Sequence, residues 1–240
     1  MKTLAAFGCS FTEHTPFSYN NKSLNTDFDR WPIHLASYLN MKSENYGKCG
    51  FGNQQISNEA IQFIIENYKS IGFVAILWSS WSRFPFLNTG QLFPDVYTDY
   101  EVWGLDGVLL PSEHEMKKID IVKELFKVYT NHKHEYIQNI VRQNIINFYN
   151  VEIVCKKYNI PYAFMQGISS IQDSFFKHLK LNKNIFFEKI IEFQELFDYK
   201  KFYGWIPDYK MGGYSWHELQ TNSEYTYNEC TISEKDRHPS

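Results

Sequence analysis

Apolar and polar positions along the chain switch between the periods of strands and helices. Thr3 to Phe7 is a short apolar run closed by Gly8, the pattern of a buried parallel strand ending in a tight turn. Trp31 to Leu39 follows, with Trp31, Leu35, Tyr38 and Leu39 at helical spacing and Pro32 near the entry. Glu44-Asn45-Tyr46 reads as a brief second strand before the glycine-rich Gly47-Lys48-Cys49-Gly50-Phe51-Gly52. Asn53 suits the cap of the next helix, whose face is Ile56, Ala60, Phe63, Ile64 and Tyr68. Gly72 to Trp78 is apolar without alternation, which predicts a central strand covered on both faces.

The order strand, helix, strand, helix, strand predicts an α/β fold, a parallel sheet with helices on both sides. Phe84 to Leu110 breaks the pattern with Pro, Gly, Asp and aromatic residues. It is expected to be an inserted loop or small hairpin, at about residues 84–112, lying over one end of the sheet where insertions shape binding sites. From about Ile119 to Tyr158 the period is helical, as one long helix or two, until Asn159-Ile160-Pro161 ends it. Tyr162 to Gln166 supplies a fourth strand, Phe175 to Phe197 reads as helical, and Tyr203 to Asn228 is turn-rich. Without an internal repeat or low-complexity linker, residues 1–240 are expected to form one domain.

Composition narrows the class of protein. With 240 residues, 43% hydrophobic and 21% charged, the chain is neither disordered, collagen-like nor a coiled coil. Lys and Arg number 24 against 27 Asp and Glu, a net charge of −3, so the basic footprint of a nucleic-acid binder is absent. Aromatic residues reach 18%, which fits sugar-stacking platforms, a core built of rings, or the compositional bias that also enriches Asn, Ile and Lys. Cys9, Cys49, Cys155 and Cys230 lie far apart with no C-x-x-C pair and are expected to be reduced thiols. The opening apolar run, Leu4 to Phe7, is far below the roughly 7–15 residues of a signal core. No stretch approaches the roughly 18 apolar residues of a bilayer span. A soluble cytoplasmic protein with no membrane partner is the expectation.

Three motifs carry chemistry. Gly8-Cys9-Ser10-Phe11-Thr12 leaves the first strand at its carboxyl end, where open α/β sheets bind ligands. Asn45 to Asn53, with its glycines, leaves the second, and glycine there lets backbone N–H groups approach a developing oxyanion. Asp236-Arg237-His238-Pro239 near the chain end sets a carboxylate two residues before an imidazole. Each has a bland alternative: a helix-capping serine, a plain strand-to-helix turn, and a surface tail with a chance histidine.

Taken in this order at these strand ends, the motifs resemble the SGNH (GDSL-type) hydrolase superfamily. The resemblance implies a three-layer α/β/α, flavodoxin-like fold and a serine esterase that passes through an acyl-enzyme. It maps Ser10 to the nucleophile, Gly50 to the oxyanion glycine through the Asn45-to-Gly50 spacing, and His238 to the general base. Several departures are visible. Cys9 stands where the family has aspartate, and Trp78-Ser79-Ser80-Trp81-Ser82-Arg83 replaces the block with the oxyanion asparagine, leaving Ser80, Ser82 or Arg83 as donors. Lys235 stands three residues before His238, so Asp236 is the first choice to orient the imidazole and Glu234 the reserve. The chain also stops at Ser240, soon after His238-Pro239.

Among the other histidines, His132 and His134 are two apart and share no helix face, which speaks against a metal pair. His217, in Tyr214-Ser215-Trp216-His217, is the rival base. No H-x-x-x-H, P-loop or G-x-G-x-x-G pattern is present, so no cofactor is expected. The expected partner is a small-molecule or carbohydrate ester, cleaved at a small acyl group such as acetyl. The competing expectation is an SGNH-like binding or structural module that keeps the pocket without efficient turnover. Arg83 adds a further question, because a cation at the end of a central strand needs either a carboxylate partner or a ligand.

Overall fold

The computed structural model describes residues 1–13, 29–48, 50–87, 100–104, 131–168, 170 and 180–222. Strand β1 (Thr3–Gly8) is buried along its whole length, as its unbroken apolar run requires. Helix α1 (Trp31–Tyr38) takes Pro32 in its first turn, and β2 (Lys42–Gly47) is longer than Glu44 to Tyr46 alone suggests. Helix α2 (Asn53–Asn67) leads to β3 (Ile71–Trp78), then the short strands β4 (Arg83–Leu87) and β5 (Tyr100–Gly104). Helix α3 (Lys133–Lys157), β6 (Tyr162–Gln166), α4 (Asn184–Phe193), β7 (Phe202–Tyr203) and α5 (Trp216–Asn222) complete the described elements.

Five strands form an all-parallel sheet in the order β2-β1-β3-β6-β7. Counted within the sheet this is 2-1-3-4-5, the order of a doubly wound fold whose ligands gather at the carboxyl edge. Strands β4 and β5 pair antiparallel in a separate two-stranded sheet, within the segment expected to be an insertion. Residues 105–130 and 223–240, which include the predicted helix from Ile119 and the Asp236 to His238 motif, lie outside the described residues.

Alternation along β1 covers both faces of the sheet. Leu4 and Ala6 pack with Ala36 of α1 on one side, while Ala5 and Phe7 join the large core under α2, α3 and α4 on the other. Phe148 of α3 is the hub of that core, with ring centroids 4.6 Å from Trp78, 5.5 Å from Trp81, 5.3 Å from Phe202 and 5.6 Å from Phe197. Much of the aromatic content is therefore a ring-built core. The strand β7 was hidden in the turn-rich reading because only two residues pair with β6. Phe148→Ala should cost about 3–5 kcal/mol, as removal of a buried phenyl ring does, read as a shifted urea midpoint. A loss below about 1 kcal/mol would contradict Phe148 as the hub.

Candidate active site

Strand register sets the geometry. Gly8 stands opposite Gly47 on one side and Leu77 on the other, so β1, β2 and β3 end level with one another. Ser10, Gly50 and Ser80 each follow within three residues of these ends, and therefore all leave the same edge of the sheet. The Ser10 loop closes tightly, with the Thr12 and Glu13 N–H groups both donating to the Cys9 carbonyl. Ser10 is only 8% exposed, and its hydroxyl has no hydrogen-bond partner among the described residues.

Asn45 ties the second loop to the first. Its Nδ2 donates to the Thr12 carbonyl at 2.5 Å, while its Oδ1 accepts from the Gly47 N–H at 2.9 Å. Gly47 packs against that loop so closely that a Cβ would come within 2.5 Å of the Thr12 carbonyl carbon, so a larger residue is excluded. Gly50 has φ +81°, the left-handed region glycine occupies without strain, and a Cβ there would meet nothing. Beside Asn45, the Tyr46 hydroxyl donates to Glu44 at 2.8 Å. That bond and Lys42 hold the Glu44 carboxyl below its usual range, while burial, then the bond to Glu44, push the Tyr46 phenol up.

The exit of β3 is built of serines and buried amides. The Ser79 N–H donates to Asn53 Oδ1 at 2.7 Å, and Asn53 Nδ2 donates back to the Ser79 carbonyl at 3.1 Å. Gln166 at the end of β6 donates to the same carbonyl at 2.7 Å and accepts from the Trp81 indole at 2.8 Å. Asn53 also donates to Asn144 Oδ1 at 2.6 Å, and Asn144 donates to the Trp81 carbonyl at 3.0 Å. Asn53 is therefore not a cap: Gly52 is the N-cap residue, and the Asn53 amide is turned toward β3. Sequence reading missed it because Asn before an apolar helix face is the ordinary capping signal.

Ser80 is 1% exposed; its hydroxyl lies 3.0 Å from Ser82 Oγ and donates to the Ser170 carbonyl at 3.2 Å. That hydroxyl is held inside the β3 exit. Arg83 has no carboxylate partner among the described residues; its Nη1 donates to the Phe51 carbonyl at 3.1 Å. The guanidinium thus grips the Phe51–Gly52 peptide, one residue beyond Gly50.

His217 begins α5, and its backbone N–H donates to the Gly167 carbonyl just past β6 at 3.0 Å. The preceding Trp216 packs with Cys9, Phe11 and Leu77, which puts the start of α5 against the loop that carries Ser10. His238, Asp236 and the reserve Glu234 lie outside the described residues. Cys9 and Cys155 are buried thiols without disulfides; burial, then Glu152, push the Cys155 thiol up to about 12, so it is no nucleophile. Cys49 and Cys230 lie outside the described residues.

Next to the Gly50–Phe51 turn is a cavity of about 240 Å³ between α3, the first turn of α2 and the β3 exit. Asn53, Trp81, Arg83, Tyr136, Gln143 and Asn147 are among its lining residues. Among the described residues, no group of three or more His, Cys, Asp and Glu side chains is placed to hold a metal ion, and no helix is long and apolar enough to cross a membrane.

Asn53→Ala should lower stability by about 2–4 kcal/mol, because the buried Ser79 N–H and Asn144 Oδ1 lose their partners at about 1–3 kcal/mol each. The exposed neighbour Gln54→Ala should stay within about 0.5 kcal/mol. Chemical denaturation of the two variants measures the difference. No protein-family model matches the chain, and no curated protein matches it.

Proposed function

We propose that the chain is a serine ester hydrolase of the SGNH type, with Ser10 taking up a small acyl group, acetyl foremost, from a small-molecule or carbohydrate ester. The observation that carries this reading is the level ending of β1, β2 and β3, with the Ser10 loop and the Gly50 turn tied together through Asn45 and Thr12. In this mechanism an imidazole removes the Ser10 proton as Oγ attacks the ester carbonyl carbon. The Ser10 and Gly50 N–H groups face the oxyanion, each donor contributing on the order of 3 kcal/mol. The protonated imidazole then gives its proton to the leaving alcohol, and water releases the acyl group by the same steps in reverse.

The packing of Trp216 against the cluster of Cys9, Phe11 and Leu77 favours His217 as the base, with His238 and its Asp236 as the competing pair. Arg83 holds the Phe51–Gly52 peptide, and in this mechanism its positive charge lies on the oxyanion side of the site. Ser80 contributes as support for the β3 exit through Ser170. The second reading, a binding module without turnover, draws on the Ser80 hydroxyl being held by Ser170 and on the Ser10 hydroxyl having no partner among the described residues.

A fluorophosphonate probe should label the wild-type chain and leave Ser10→Ala unlabelled; an unlabelled wild type would favour the binding module. On an aryl acetate, kcat/KM should rise with pH as the imidazole loses its proton. His217→Ala should lose nearly as much activity as Ser10→Ala, since nucleophile and base act as a unit, while His238→Ala stays near wild type. The opposite ranking assigns the base to His238 and Asp236. Arg83→Ala should lower kcat on the same acetate by about 10²-fold with little change in KM, and an unchanged kcat removes Arg83 from the oxyanion hole.

A further inference from the structure

The cavity beside the Gly50–Phe51 turn has a chemistry that ester cleavage at Ser10 does not use. Its wall on α3 is a stripe at helical spacing, Tyr136, Ile140, Asn144 and Asn147, in which the polar residues replace what would otherwise be core. Asn147 is only 5% exposed, yet its side-chain amide makes no hydrogen bond with any described residue. Unlike the Arg83 Nε, that amide is not sealed from solvent, so it opens on the cavity it lines and can meet a polar group there.

Arg83 gives the cavity its sign. With Nη1 engaged by the Phe51 carbonyl, the Nε–H and Nη2–H edge has no partner among the described residues, and Nε is buried. Nη2, which is not sealed from solvent, can donate to a carboxylate, and no carboxylate is among the described residues lining the cavity. The first turn of α2, which brings Asn53 and Gln54, adds the positive end of a helix. At about 240 Å³ the space is below that of a drug-sized pocket and holds a single ring. Amides at the floor and mouth both donate and accept, which matches hydroxyl groups around such a ring.

We infer that this cavity binds a monosaccharide carrying a carboxylate, with Arg83 on the carboxylate and Asn147 and Gln143 on ring hydroxyls. Ser10 is not among the described lining residues, so binding does not require the Ser10 hydroxyl.

Calorimetric titration of the full chain with D-glucuronate, D-glucose and inorganic phosphate tests this. Glucuronate should bind with one-to-one stoichiometry, at least about tenfold more tightly than glucose. Arg83→Gln and Asn147→Leu should each weaken it by about tenfold or more, with near-ultraviolet circular dichroism reporting that the fold is kept. Gln143→Leu, at an exposed position that folding tolerates, should weaken it several-fold, and Ser10→Ala should bind as wild type does. Failure of wild type to bind glucuronate at millimolar concentration, equal binding in the Arg83 and Gln143 variants, or binding of phosphate alone would overturn the inference. Loss of fluorophosphonate labelling with glucuronate binding intact would strike only the esterase reading.

Discussion

The exit of β3 depends on one peptide group, that of Ser79, held from both sides by buried amides. Asn53 receives its N–H and returns a hydrogen bond to its carbonyl, while Gln166 donates to that carbonyl from β6. Each such bond contributes only about 1 kcal/mol net, but leaving any of these buried groups unpaired costs more than the bond is worth. The network therefore fixes where the chain goes after the central strand. It joins the start of α2, the end of β6 and, through Asn144, the middle of α3 to the same few atoms. Ser80, Trp81 and Arg83 inherit their positions from it.

Two consequences meet at Arg83. The guanidinium reaches the Phe51 carbonyl and so couples the β3 exit to the turn containing Gly50, while Asn45 couples that turn to the Ser10 loop. Three strand ends that carry candidate chemistry are thus cross-linked by side chains rather than by the sheet alone. Arg83 also lines the cavity of amides beside α3. The carboxyl edge of the sheet accordingly carries the candidate serine Ser10 in a tight loop, and the exit of β3 borders a polar recess lined by Arg83 and amides.

The strands were legible where burial leaves no choice. β1 and most of β3 are covered on both faces, so their sequences are near-continuous apolar runs, while β6 alternates buried and half-buried residues. The candidate serine was legible because it follows such a run directly, the glycine through its spacing from Asn45, and Arg83 because a cation there is out of place. β7 was not, since two paired residues leave no period to read. The roles of Asn53 and Gln166 were hidden for a different reason: a capping asparagine and a strand-terminal glutamine look ordinary until their long-range partners are known. Asn144 and Asn147 were masked by the apolar residues around them on α3, because Ile140, Ile145, Phe148 and Val151 dominate the helical pattern.

The claim on which the functional account turns is that Ser10, and no other residue, becomes covalently acylated at the sheet edge. Rapid quenching of the full chain with an excess of aryl acetate, followed by intact mass and peptide mapping, measures this directly. The account predicts one acetyl group per chain on the peptide containing Ser10, formed within the first turnover and lost again as the ester is consumed. Ester hydrolysis with the acetyl group on a different residue, or with no acetyl-enzyme and an undiminished rate in Ser10→Ala, would contradict it.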